Sequence, residues 1–177
     1  FNSAVAWKLT GRREFAEKSA EFLRRVCDRE KGYPVKLKAC HQQLVHEGEF
    51  FKSCAKAYDL IHDAGVLSDK DHEDIHYSFR IFMDFLDWAL SDGGISNWSL
   101  AEIAGALYCA MTLQDREKIE RFVFGTGGAL AHLQAGGYDD GWWCECTIGY
   151  NQLAAGLFSE YIVALRPWGI NLASWWV

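Results

Sequence analysis

Hydrophobic residues recur every three or four positions along most of the chain, which is the period of an amphipathic helix. Six such stripes can be traced, at Phe15 to Val26, Phe50 to Ile61, Ile75 to Leu90, Leu100 to Met111, Ile119 to Leu133 and Leu153 to Leu165. Residues 1–9 resemble the end of a further helix. No segment alternates convincingly with period two, so the sequence predicts an all-α fold. Short connections favour antiparallel neighbours and therefore a series of helical hairpins.

Polar residues and glycines mark the ends of these predicted helices. Ser68 and Asp71 have the spacing of a capping box before the third helix, which Gly93 and Gly94 close. Pro167 stops the last helix. The fifth stripe is interrupted by glycines between Val123 and Leu130.

The fourth helix has a similar start signal, which fixes where its neighbours are expected. Ser99 and Glu102 fit a capping box, and Trp98 and Ile103 then occupy the two positions of a hydrophobic staple. On this reading Asn97 lies just outside the helix, where its amide is free to bind a ligand or simply closes the turn.

Composition limits the choice of partner. The 177 residues are 50% hydrophobic and carry 18 basic against 24 acidic side chains, a net charge of -6 that does not favour nucleic-acid binding. Residues 1–40 hold ten bases and five acids, hence +5, leaving -11 for residues 41–177. That basic segment is either a solvated helix face or a patch for an acidic partner. No apolar run is long enough to predict a membrane span.

Neither end of the chain looks like a natural terminus. There is no initiating Met, and the sequence stops in the apolar run Trp175-Trp176-Val177. We therefore expect residues 1–177 to form a single, incomplete domain of a longer protein. Among the cysteines, Cys27, Cys54 and Cys109 fall in helical patterns and are expected to be buried. Cys144-Glu145-Cys146 lacks the further ligands of a zinc site, and no metal is predicted.

The loop before the last helix concentrates Gly, Asp and Trp, which is typical of functional loops on a helical scaffold. Trp142 and Trp143 adjoin, so we expect one to point inward and the other toward a cleft as a sugar platform. Thr147 is a candidate N-cap that puts Tyr150 in the first helical turn. There the partial positive charge of the helix end favours a phenolate. Taken singly, Tyr150 and Glu145 also fit packing and capping roles.

Three motifs, in this order on a helical background, resemble a known enzyme family. They are Ala57-Tyr58-Asp59-Leu60, Asn97-Trp98, and Asp140-Gly141-x-x-x-Glu145-x-x-x-x-Tyr150. From about Trp7 to Asn171 the chain resembles the α/α-toroid portion of heparinase II/III-like polysaccharide lyases, including their alginate-lyase relatives. The resemblance implies that the hairpins form part of an (α/α) toroid or barrel and that a C-terminal β-sandwich domain is missing. It also implies a secreted or periplasmic protein whose partner is an acidic polysaccharide.

The implied reaction is β-elimination at a uronic acid, and the residue types suit it. Asn97 would neutralise the uronate carboxylate, so stabilising the enolate that develops when the C5 proton leaves. Tyr150 would take that proton, donate one to the leaving O4, or do both. Glu145 would support Tyr150 or a sugar hydroxyl. Trp98, Trp142, Trp143, His41 and Gln42 are the candidate substrate-binding residues.

One position departs from the family pattern. Several relatives place a His directly after the Asn, where this chain has Trp98. Either Tyr150 transfers both protons or the second group lies outside this chain. His41, His46 and Gln42 are alternatives near the second helix, although a helix-surface His is the simpler interpretation. The resemblance implies no cofactor in this chain; where such lyases hold a divalent metal, it belongs to the missing domain.

Other functions remain open at this point. A uronate C5-epimerase shares the proton abstraction, and a non-catalytic helical module could bind acidic glycans through its tryptophans. A glycoside hydrolase needs paired carboxylates, which Asp139, Asp140 and Glu145 only imitate within one loop.

Overall fold

The protein is described by a computed structural model that covers residues 1–33 and 44–175. These residues form eight α-helices: α1 (Asn2–Thr10), α2 (Arg13–Cys27), α3 (Leu44–Ile61), α4 (Asp69–Ala89), α5 (Asn97–Thr112), α6 (Arg116–Phe124), α7 (Ala129–Gly136) and α8 (Ile148–Leu165). Short 3-10 turns cover Leu90–Asp92, Arg166–Trp168 and Leu172–Trp175. In this part of the chain the β-structure is limited to one bridge, between Gly137 and Trp143. The all-α prediction is confirmed.

Two of the predicted helix starts are confirmed. Ser68 and Asp71 form a complete capping box at the start of α4. Thr147 caps α8 by accepting a hydrogen bond from the amide of Tyr150 at 3.1 Å, which places Tyr150 in the first turn. The fifth predicted helix is divided at its glycines into α6 and α7.

The predicted start of α5 is wrong by three residues. Ser96 is the N-cap, and its capping-box partner is Ser99, whose hydroxyl accepts from the amide of Ser96 at 3.2 Å. Asn97 is therefore the first helical residue and does not lie outside the helix. Trp98 is exposed within the first turn while Ile103 is buried, so the predicted staple is wrong as well. Glu102 does not reach back to the cap because it is buried further along the helix.

Helices α3 and α5 approach each other closely along their length. A Cβ atom on Gly48 would lie 2.3 Å from the carbonyl oxygen of Ala101, so only glycine fits there. Further along, Lys56 lies 4.2 Å from the ring centroid of Tyr108. Because Gly48 is opposite Ala101 and Lys56 opposite Tyr108, α3 and α5 run in the same direction.

Helix α4 returns antiparallel to α3, as expected of a helical hairpin. Tyr58 near the end of α3 contacts His72 near the start of α4, whereas Phe51 stacks on Phe82 further along, with centroids 4.2 Å apart. The stacked rings lie in a core that all eight helices share. Cys27, Cys54 and Cys109 are buried, as predicted.

Helix α8 packs against α5 and runs parallel to it, and its Glu160 also pairs with Lys52 and Lys56 of α3. The hydroxyl of Tyr161, in α8, donates to the carbonyl oxygen of Leu100 near the start of α5. Arg116, which follows the end of α5, donates to the carbonyl oxygen of Trp168, which follows the end of α8, at 3.3 Å. The N-termini of α3, α5 and α8 therefore lie at one end of the molecule. Of the helices described, none combines the length and the apolar character needed to cross a membrane.

Candidate functional site

A hydrogen-bonded contact joins Asn97 at the start of α5 to Glu145, 48 residues later. The backbone amide of Asn97 donates to Glu145 Oε2 at 2.8 Å, and the side-chain Nδ2 lies 2.7 Å from both Glu145 oxygens. Asn97 is only 3% exposed. Because the first N–H groups of a helix have no intrahelical acceptor, the carboxylate satisfies a donor that would otherwise need water.

Trp143 completes the set of donors around this carboxylate. Its indole Nε1 donates to Glu145 Oε2 at 2.6 Å, and its amide donates to Asn151 Oδ1 at 2.8 Å. The ring is 2% exposed and packs on Gly136, where a Cβ atom would lie 2.2 Å from the indole. Glu145 therefore holds the loop between α7 and α8, residues 137–147 and named here the second loop, against the start of α5.

His132 lies next to the Glu145 contact, where it packs on Trp143 and contacts Ser99. Its ring is parallel to that of Trp143, with centroids 6.3 Å apart, and its Nε2 lies 2.7 Å from the Ser99 hydroxyl. Nδ1 lies 3.0 Å from the carbonyl oxygen of Gly128, which can only accept, so Nδ1 carries a hydrogen. Burial lowers the pKa of His132. The neutral ring then accepts at Nε2, and the Ser99 hydroxyl donates to it.

The side-chain amide of Asn97 is directed toward Glu145, which limits its availability to a ligand. Its Nδ2 group already donates to Glu145, so donors for a substrate carboxylate are scarce while this contact holds. Glu145 makes its hydrogen bonds to Asn97 and Trp143; within the described residues it makes none to Tyr150. The arrangement is that of a residue that positions Asn97 and not of one that orients the tyrosine.

Tyr150 is placed differently. It lies in the first turn of α8, 43% exposed, and its backbone rather than its hydroxyl makes the capping bond with Thr147. Five residues separate it from Glu145, so the bonded loop and the tyrosine belong to the same end of the molecule. The residue is exposed, so a ligand can reach its side chain.

The adjoining tryptophans point to opposite sides, as predicted. Trp143 is buried, whereas Trp142 is 40% exposed and its amide is held by Asp140 at 3.0 Å. Trp98 is also exposed, on the first turn of α5 beside Asn97. Trp98 and Trp142 are therefore the two predicted sugar-binding aromatics that a ligand can contact, while Trp143 has a supporting position.

His41 and Gln42 lie outside the described residues. Cys144 and Cys146 are free thiols in the second loop. In the part of the chain that the structure covers, no group of three or more His, Cys, Asp or Glu side chains is arranged to hold a metal ion.

Two polar clusters have no counterpart in the sequence analysis. The Tyr58 hydroxyl lies 2.6 Å from His72 Nδ1 and 2.8 Å from His76 Nε2 between α3 and α4, although both histidines have charged sequence neighbours. Glu102 is completely buried between α3 and α5, beside Glu47. The only available signal was the small residue Gly48, which permits the close approach.

Comparisons with protein-family profiles, with curated proteins and with solved structures found no match for this chain.

Proposed function

We propose that the chain carries part of the active site of a polysaccharide lyase that cleaves uronate-containing glycans by β-elimination. The observation that supports this most is the Glu145 contact, because it holds Asn97 and the segment leading to Tyr150 at one end of the molecule. An amide donor and an accessible phenol near parallel helix N-termini suit a substrate that is anionic and loses a proton.

In the proposed reaction, Tyr150 removes the C5 proton of the uronate bound beside it. The electron pair of the C–H bond forms the C4–C5 double bond as the C4–O4 bond breaks. The departing O4 takes a proton, either from Tyr150 or from a group outside this chain. Donors near the uronate carboxylate stabilise the negative charge that develops on it.

Asn97 can meet this demand in two ways. Its second amide hydrogen can be shared with the substrate, or the substrate carboxylate can take the place that the Glu145 carboxylate occupies. In the first case Glu145 is a positioning residue that the buried ring of Trp143 keeps in place; in the second case Glu145 gives up its contact with Asn97 to the substrate carboxylate.

The resemblance on which this proposal draws also implies a toroid and further domains. Parallel α3, α5 and α8, with α4 returning antiparallel, are consistent with inner and outer helices of an α/α toroid. Under this proposal a C-terminal β-sandwich follows, the protein is secreted or periplasmic, and any divalent metal lies in that further domain.

The direct test uses the full-length protein and Tyr150→Phe. We expect the wild type to form an unsaturated, ultraviolet-absorbing product from hyaluronan, chondroitin, heparan, ulvan or alginate. Tyr150→Phe should lower the rate by about a hundredfold to ten-thousandfold, since it removes the proton-transfer group. Tyr77→Phe on α4 is the matched control and should retain activity. Full activity in Tyr150→Phe would exclude this tyrosine from the chemistry.

A second candidate is a glycan-binding module without catalysis. It is favoured by one observation, that Nδ2 of Asn97 is already engaged by Glu145. Glycan binding without turnover, unchanged in Tyr150→Phe, would support it. A C5-epimerase would instead introduce solvent deuterium at C5 without cleaving the chain.

A further inference from the structure

A cavity lies beside the loop that carries Trp142, at a place the proposed mechanism does not use. Its volume is about 420 Å³. It is lined by Leu133, Gln134, Gly137, Tyr138, Asp139, Gly141, Ser174 and Trp175. Two segments distant in sequence, the hairpin-like turn after α7 and the 3-10 turn after α8, therefore form one concave surface.

The walls of this cavity carry large aromatic rings that the core does not need. Tyr138 and Trp175 are each about half exposed. The backbone behind Tyr138 is fixed, because its amide donates to the carbonyl of Trp142 at 2.8 Å and its carbonyl accepts from Gly141 at 2.8 Å. A half-exposed ring on a fixed backbone can present its face to a ligand, which suits stacking on the apolar face of a pyranose.

Polar side chains that can bind sugar hydroxyls lie beside these rings. Gln134 and Asp139 make no side-chain hydrogen bond with other described residues, and both are exposed. The Ser174 hydroxyl donates to Asn171 at 2.7 Å and keeps its lone pairs as acceptors. An amide and a carboxylate beside an aromatic face can bind adjacent sugar hydroxyls, whereas a purely apolar ligand would leave them unpaired.

The charge of the cavity selects among sugars. Asp139 is the only charged residue among the described residues that line it, and Asp140 follows on the same turn. A uronate carboxylate placed here would meet like charge without a compensating cation. A neutral sugar, by contrast, offers only hydroxyl or amide groups.

We infer that this cavity, named here the Tyr138–Trp175 cavity, is a subsite for a neutral sugar unit of the glycan. The inference rests on the proposed function, since it assumes that the same glycan reaches Tyr150. It makes a glycan that alternates uronate with a neutral sugar a better substrate than one built of uronate throughout.

The test measures binding of hexasaccharides to the full-length protein with Tyr150→Phe as background, by calorimetry. Unsulfated chondroitin and hyaluronan are the alternating probes, and alginate is the uniform one. We expect an alternating probe to bind more tightly than alginate. Tyr138→Ala and Trp175→Ala should each weaken that binding about tenfold, as for aromatic residues at the centre of a binding site.

Two further variants complete the design. Asp139→Asn removes the repulsion and should improve alginate binding severalfold. Trp88→Ala, which removes an exposed tryptophan on α4 outside the cavity, should bind like its parent. All of these side chains are exposed, and thermal unfolding confirms that each variant is folded.

Three results would overturn the inference: alginate binding most tightly, no binding of any probe, or alanine variants that bind like the parent. Its failure is distinguishable from failure of the lyase proposal. Product formation with unaffected alanine variants removes the subsite and leaves the lyase. Weakened binding in those variants, with no product from the wild type, removes the lyase and leaves the subsite.

Discussion

Two glutamates have opposite surroundings: Glu145, which contacts the start of α5, and Glu102, which belongs to α5. Glu145 accepts hydrogen bonds from the backbone and side chain of Asn97 and from the indole of Trp143. Glu102, five residues after Asn97, is fully buried, and neither of its oxygens has a hydrogen-bond partner of good geometry. The first turn of a helix offers unused N–H groups, whereas further along the helix uses them itself. Position along one helix thus decides whether a carboxyl group is satisfied.

The consequence for Glu102 is a changed proton affinity. Burial, followed by the neighbouring Glu47, raises the pKa of Glu102 to about 9. The amide of Gly48 opposes this shift only in part. Because α3 comes so close at Gly48, there is no room for the carboxyl group to turn toward solvent.

Removing the satisfied carboxylate should have the largest effect on stability. Glu145→Ala leaves the Asn97 amide, the Asn97 side chain and the Trp143 indole without their acceptor. We expect a loss of about 2–4 kcal/mol in the free energy of unfolding, because unpaired buried donors are costly. Urea unfolding followed by tryptophan fluorescence measures it.

The matched controls are Glu145→Gln and Glu117→Ala. The first keeps one acceptor oxygen and should lose less than the alanine variant. The second removes an exposed glutamate from the first turn of α6 and should change stability by less than about 0.5 kcal/mol. Equal stability of Glu145→Ala and wild type would show that the contact contributes nothing.

The unsatisfied carboxyl group should respond to pH in a defined direction. The folded state keeps the Glu102 proton up to about pH 9, whereas the unfolded chain releases it near its usual 4.5. Stability from this group is therefore complete below pH 4.5 and falls as pH rises toward 9. Glu102→Gln cannot ionise, so its gain over wild type should rise from about 1 kcal/mol at pH 5 to about 3 kcal/mol at pH 6.5.

Unfolding curves at several pH values test this directly. The difference between Glu102→Gln and wild type should increase with pH. A difference that stays constant from pH 5 to pH 8 would mean that Glu102 does not hold a proton in the folded state.

The smallest effect on stability is expected for substitution of Ser99, which lies near the Glu145 contact. Ser99→Ala removes the hydroxyl that accepts from the Ser96 amide and donates to His132. The expected loss is about 1 kcal/mol, typical of a helix cap. Ser99→Thr keeps the hydroxyl and should lose less; the reverse order would contradict the assigned role of this oxygen.

The sequence predicted those features that depend on local pattern. Helical periodicity identified the helices, and the Thr147 cap placed Tyr150 in its turn. The alternation of adjacent side chains predicted that one of Trp142 and Trp143 points inward and the other outward, but it did not indicate which; the structure shows that Trp143 is the buried one. These features follow from backbone geometry within a few residues.

The sequence did not predict what depends on distant packing. The sequence contains two possible capping boxes, one formed by Ser96 and Ser99 and the other by Ser99 and Glu102. The second box does not form because Glu102 is buried against α3. The pairing of Asn97 with Glu145 joins segments 48 residues apart. The hydrophobic periodicity of the sequence gives no indication of this long-range pairing.

The Glu145 contact also bears on the order of folding events. It closes a loop that contains α6 and α7, so the entropy of the intervening chain must be lost before the contact forms. Contacts within α5 or within α8 carry no such cost and can form early. We therefore expect the segment that positions Tyr150 to be among the last parts to order, so that the proposed chemistry would begin only when the fold is complete.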